Sequence, residues 1–263
     1  MFAKVRKYLS VAVISARSST AYASDVLGRT GFFLLILFIL SRVWDKLMGG
    51  RLMEGFGQGD LVWYLVFTES LLLAVPRVES EIEDEVRSGS VAYLMVRPMH
   101  YLGFHLAGFS GEVVVRLGMN LLVGAPLAFL LAGPPPTPLA GLPWVLAAVA
   151  LGLTLHFHLV ACLALLAFWV EETKPFFWIY QKILFTAGGL MIPLEFFPDW
   201  LRHTLDVLPF ASVLYAPARM GVRFEPEVAM RLLAAQAAWL LVFVFVAQAI
   251  YARASRRLQV NGG

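Results

Sequence analysis

Between Leu232 and Tyr251 the chain runs for twenty residues without a charged side chain. Twenty residues of α-helix rise about 30 Å, the thickness of a bilayer's hydrocarbon core. Lipid offers no hydrogen bonds, so such a run satisfies its backbone by coiling. Five further segments approach this standard: 27–48, 61–76, 103–131, 143–170 and 176–193. In the first, Arg29 and Arg42 flank a short apolar centre and must snorkel to the interfaces. The second carries Glu69 and ends at Pro76; the third is interrupted by Glu112 and Arg116. Apolar residues make up 59% of the chain and charged ones 15%. A soluble domain is about half apolar and a quarter charged, so the excess must face lipid. The expected fold is all-α and polytopic, with six transmembrane helices.

The connectors orient the spans. Gly133-Pro134-Pro135-Pro136-Thr137-Pro138 is a stiff uncharged turn, and Glu171-Glu172-Thr173-Lys174-Pro175 a charged hairpin. With both termini in the cytoplasm, thirteen basic residues fall inside, Arg77, Arg87, Arg97 and Lys174 among them, and seven outside, including Arg51, Arg202 and Arg219. That asymmetry predicts a multi-pass protein of the cell (inner) membrane with cytoplasmic termini. A net charge of +3 is too small to point to nucleic acid, and Cys162 alone forms no internal disulfide.

Lys4, Arg6 and Lys7 before a short apolar stretch, with Ala21-Tyr22-Ala23 after it, have the outline of a signal peptide. Arg17 and Ser18-Ser19-Thr20 break the stretch. At helical spacing Phe2, Val5, Leu9, Ala12, Val13 and Ala16 share a face, with Lys4 and Lys7 turned away. Residues 1–22 are expected to form an amphipathic helix along the membrane surface.

The loop after the second span holds five acidic residues in seven positions, Glu79-Ser80-Glu81-Ile82-Glu83-Asp84-Glu85, and continues Val86-Arg87-Ser88-Gly89-Ser90. Val78, Ile82 and Val86 repeat every four residues, Gly89 suits a C-cap, and Pro98 marks the next boundary. A short amphipathic helix between two spans is shaped to dock on something. Further on, Gly188-Gly189-Leu190-Met191-Ile192-Pro193-Leu194-Glu195-Phe196-Phe197-Pro198-Asp199-Trp200-Leu201 leads to Leu208-Pro209-Phe210 and Tyr215-Ala216-Pro217. Phe197, Leu201, Leu205 and Leu208 form an apolar stripe there.

Together these features resemble the ABC-2 type permease family of ATP-binding-cassette exporters over nearly the whole chain. The resemblance implies a coupling helix at 79–90 that contacts a separate dimeric ATPase through Glu79, Glu81, Glu83, Asp84, Glu85, Arg87 and Gly89. It implies an external, partly re-entrant segment over 194–210, marked by Pro193, Phe197, Pro198, Trp200 and Pro209. It also implies a second permease, a copy or a relative. The sequence contains no Gly-x-x-x-x-Gly-Lys-Ser/Thr loop, so ATP and Mg are expected on the partner and no cofactor on this chain.

Ionisable residues at bilayer depth need partners or water. Glu112 and Arg116 have the i,i+4 spacing of an intrahelical pair. Glu69 has no cation within a turn, leaving Lys182 or Arg116 as partners across helices. His156 and His158 lie on different helix faces, which argues against a shared metal, and no metal site is expected. Gly108-Phe109-Ser110-Gly111 matches the Gly-x-Ser-Gly of rhomboid-type proteases, but the last span offers no histidine as base. The stronger competitor is an ion-coupled secondary transporter using Glu69 and Glu112, which would have no need of a docking helix.

Overall fold

In a computed structural model the protein is all-α, described over residues 2–20, 23–170 and 172–261, with side chains at 5–19, 28, 30–170 and 172–256. Ala21, Tyr22 and Glu171 lie outside the described residues, as do the side chains of Phe2, Lys4 and Arg29. The helices are α1 (Phe2–Thr20), α2 (Ala23–Met48), α3 (Gln58–Ala74), α4 (Val78–Arg87), α5 (Val91–Met95), α6 (Tyr101–Ala132), α7 (Leu142–Ala164), α8 (Lys174–Ala187), α9 (Asp199–Val207), α10 (Tyr215–Val222) and α11 (Pro226–Asn261). Short 3₁₀ turns at Leu139–Gly141, Leu165–Phe168 and Leu194–Phe196 join them.

Four helical stretches, Gln58–Arg87, Tyr101–Ala132, Leu139–Phe168 and Pro226–Arg256, are long and apolar enough to cross a bilayer. Leu122, Leu130 and Val114 of α6 and Phe245 of α11 are more than 70% exposed. Water would not tolerate so much apolar surface, whereas lipid requires it. The chain is a polytopic membrane protein.

Helix α8 is shorter than the apolar run that contains it. Its 14 residues rise about 21 Å, less than a hydrocarbon core. Gly189 takes φ +67°, and the amide of Leu190 turns back to the carbonyl of Phe185, ending the helix well before Pro193. The first helix also differs in how it seats. Tyr8, Val11, Ala12, Ser15 and Ala16 are its more covered positions, while Val5, Leu9 and Val13 are at least half exposed. A Cβ on Gly111 would overlap the Ala12 carbonyl, and one on Gly108 would touch Ser15. Close approach to α6, rather than the apolar stripe alone, holds α1, and Val5, Leu9 and Val13 of the stripe are left for lipid.

Two apolar cores organise the bundle. One joins α4 to α6, α7, α8 and α11 through Ile82, Tyr101, Phe109, Leu155, Phe157 and Leu165. The other joins α2, α3, α9 and α10 through Phe33, Leu37, Tyr64, Val66 and Ala218. Chain direction puts α4, α5 and the start of α8 at one end, and α9, α10 and the 49–57 turn at the other.

Candidate functional site

At the first end, Val78 and Ile82 are buried in the core shared with α7. Gly89, φ +73°, terminates α4 and turns the chain into α5. The apolar face is as the sequence predicts, but the acidic residues divide.

Glu83 is buried. Its Oε1 accepts from Arg87 Nη1 at 3.3 Å, and its Oε2 accepts from the Thr173 hydroxyl at the foot of α8. Glu85 Oε2 accepts from the Tyr101 hydroxyl at 2.6 Å and lies 3.0 Å from His105 Nε2. On the other side of the same ring, His105 Nδ1 is 3.7 Å from Glu81. Tyr101 stacks on Tyr251 of α11, with ring centroids 5.7 Å apart. Helix α4 is thereby tied to α6 and to the start of α8 by polar contacts and to α7 by apolar ones. Glu81, Glu85 and His105 bring three ligand atoms within 4.8 Å of one another, the set a cation could use. The carboxylates address different ring nitrogens, however, so the imidazole occupies the space between them and acts as a bridge.

The outward surface consists of Glu81, Asp84, Arg87, Ser88 and Gly89, extended by Tyr93 and Val96 at 81% and 86% exposure. Glu79 is half-buried beside the root of the helix. Sequence reasoning placed Glu83 and Glu85 on the docking face, and the structure turns them inward. Tyr93 and Val96 were missed; their i,i+3 spacing on a one-turn helix was the only available signal.

Within the spans, Arg116 Nη2 donates to Glu112 Oε2 at 2.6 Å, so the i,i+4 pair forms. Glu69 is 4% exposed and makes no hydrogen bond or ion pair to any described residue. Arg116 is taken by Glu112, and Lys182 sits over the Phe185 ring, so neither suggested partner serves it. His156 Nδ1 shares a hydrogen bond with the Tyr180 hydroxyl, and His158 Nδ1 donates to the Thr154 carbonyl. Ser110 Oγ donates to the Leu106 carbonyl of its own helix, and the flanking Gly108 and Gly111 receive α1. The protease-like tetrapeptide is a packing seam.

At the opposite end, Phe197, Leu201, Leu205 and Leu208 pack inward, whereas Trp200 is 73% exposed. The most buried helix at this end is α10. All eight of its residues are buried, beside α3 and α7. Arg219 Nε donates to Glu195 Oε1 at 2.8 Å, its Nη2 to Glu225 Oε1 at 2.9 Å, and its Nη1 to the Arg223 carbonyl. The Tyr215 hydroxyl donates to the same Glu195 oxygen at 2.8 Å. The Arg219 hydrogen bond holds the Glu225 carboxyl below the usual carboxylate range. Sequence reading counted Arg219 only as an external charge, because nothing local reveals that Glu195 and Glu225 converge on it.

A family model described as an ABC-2 family transporter protein matches residues 29–262, nearly the whole chain. No curated protein matches.

Proposed function

Because the chain belongs to the ABC-2 family of transporter proteins, we propose that it is the permease subunit of an ATP-binding-cassette exporter, driven by ATP and Mg on a separate cytoplasmic ATPase dimer. The observation that carries this reading is the two-sided α4. Its outer side presents Glu81, Asp84, Arg87 and Gly89 together with Tyr93 and Val96, a charged surface with exposed apolar anchors. Such a mixture suits a protein partner. Its inner side grips the bundle through Glu83 and Glu85. Displacement of α4 by a closing ATPase would therefore move α6, α7 and the start of α8 together. In this reading the α4 end and both termini are cytoplasmic, the membrane is the cell's inner membrane, α10 faces outward, and a second permease, a copy or a relative, completes the path. No substrate bond is broken by this chain.

The test is a pull-down from native membranes. The wild-type chain is expected to retain a subunit carrying a phosphate-binding loop, and Asp84→Lys/Tyr93→Ala, at two exposed positions, to lose it while still inserting and migrating as a folded protein. Retention of the ATPase and of transport by that variant would remove α4 from the coupling mechanism. The buried, unpartnered Glu69 favours a second reading, an ion-coupled carrier. That reading requires transport to vanish in Glu69→Gln.

A further inference from the structure

A cavity of about 480 Å³ opens beside the root of α4, between the last turn of α3, α7 and α8. That volume lies in the range of ligand sites, roughly 300–1,000 Å³. A second hollow of about 260 Å³ adjoins it, sharing Arg77, Glu79, Phe177 and Gln181 and adding Lys174. From Phe177 to Phe185 the joint groove follows α8 for about 12 Å into the bundle.

The chemistry of the lining changes with depth. The inner wall is apolar, built by Leu72, Val160, Leu184 and Phe185. At the deep end lies His156, 5% exposed; its Nδ1 is bonded to Tyr180, and its Nε2 has no hydrogen bond to any described residue. The mouth is charged. Glu83 is already bound by Arg87 and Thr173. Among the described residues Lys174 has only a loose 3.8 Å contact with Glu172, both side chains being more than half exposed. Arg77 makes no ion pair with any described residue, and its only charged neighbour in the cavity is Glu79. Arg77 and Lys174 face Glu79 and Glu172, so the mouth is balanced in formal charge, but neither cation is held by a close ion pair among the described residues and both keep donors free for a ligand. A guanidinium in that position offers a two-pronged grip on a carboxylate or phosphate.

We propose that this cavity binds an amphiphile with one anionic headgroup, its head at Arg77 and Lys174 and its tail along Leu72, Val160, Leu184 and Phe185. Taken with the permease reading, on which this step rests, the ligand is cargo held where the coupling helix leaves α3. Its occupancy then bears directly on the position of α4. A fatty-acyl carboxylate and a lipid phosphate share the required chemistry.

The test uses the purified full chain in neutral detergent and a diazirine-bearing dodecanoate. Photolabel is expected on residues 156–160 and 177–185, displaced by decanoate if a fatty acid is the ligand or by short-chain phosphatidic acid if a phospholipid is. Arg77→Gln, an exposed position without a structural partner, is expected to weaken labelling about tenfold, the order set by losing a charged hydrogen-bonding partner. Leu184→Trp, which fills the cavity, should abolish it. Equal labelling by the matching dodecanol and dodecylamine probes, label confined to lipid-facing residues such as Phe245, or indifference to both competitors and to Arg77→Gln would overturn the proposal. The assay needs no ATPase. Failure to label therefore leaves the permease reading standing, and failure to retain an ATPase leaves the binding site standing.

Discussion

Truncating Glu85 to alanine should damage the fold, whereas reversing its neighbour Asp84 should damage only the coupling. Glu85 Oε2 holds the Tyr101 hydroxyl at 2.6 Å and His105 at 3.0 Å. Tyr101 and His105 are each 2% exposed, so water cannot fully replace the missing acceptor. Both hydrogen bonds end on a carboxylate, and at about 1.5–3 kcal/mol for a bond to a charged group the loss for Glu85→Ala is roughly 3–6 kcal/mol. For a chain of this size that corresponds to a fall in melting temperature of roughly 6–24 °C. Asp84 is exposed and its side chain has no partner among the described residues, so Asp84→Lys should stay within about 0.5 kcal/mol of wild type. The assay is melting of the detergent-solubilised chain followed by size exclusion, with ATPase retention measured on the same preparations. Equal melting of the two variants, or loss of the ATPase from Glu85→Ala at temperatures where it remains folded but not from Asp84→Lys, would refute the division of α4 into a gripping and a docking side.

Glu69→Gln removes a buried carboxyl without a partner among the described residues, so it should leave melting unchanged or raise it slightly and preserve ATP-driven transport in vesicles. Gly111→Val places a side chain against the Ala12 backbone and should release α1 from α6, read as new protease cleavage within residues 2–20. Arg219→Met strands Glu195, whose Oε2 already has no partner among the described residues, and should lower stability by about 3–5 kcal/mol; pairing it with Glu195→Leu should recover most of the loss. Because the Arg219 hydrogen bond lowers the Glu225 carboxyl in the fold, its contribution is complete above the unfolded value near 4.3 and fades as pH falls through the lower folded one. Melting curves between pH 6 and 3 should therefore be flatter for Glu225→Gln than for wild type.

What could be read from sequence was whatever depends on near neighbours. The uncharged runs marked the long helices, since lipid exposure is a property of a whole segment, and the 112/116 spacing marked its ion pair. The fate of the acidic residues on α4 depended on distant partners. Glu83 is set by Thr173, 90 positions away, and Glu85 by Tyr101 and His105 on α6. The boundary of α8 was hidden because apolar residues continue past Gly188-Gly189, where the backbone turns. Helix α10 escaped notice because a proline and an arginine within eight residues suggest a loop. Its burial is possible only because Glu195 and Glu225 arrive from either side to compensate Arg219.

The two polar networks occupy opposite ends of the same struts. Helix α3 runs from the α10 end to the root of α4, and α7 spans a comparable distance in the opposite direction, packing on α10 near its start and on α4 near its finish. At about 25 and 35 Å, each is long enough to carry a displacement across most of a bilayer. Neither connection is loose. The backbone before α10 lies so close to Gly152 of α7 that a Cβ there would meet the carbonyls of Ser212 and Val213. Gln236 of α11 donates to both Ala148 and Ser212, pinning that backbone from the other side. A shift imposed on α4 therefore cannot be absorbed by sliding α10 along α7; the contacts must move as one body or break. In the proposed transport cycle, that rigidity would carry a movement of α4 along α7 to the α10 end, where Arg219 and Glu195 form their buried pair.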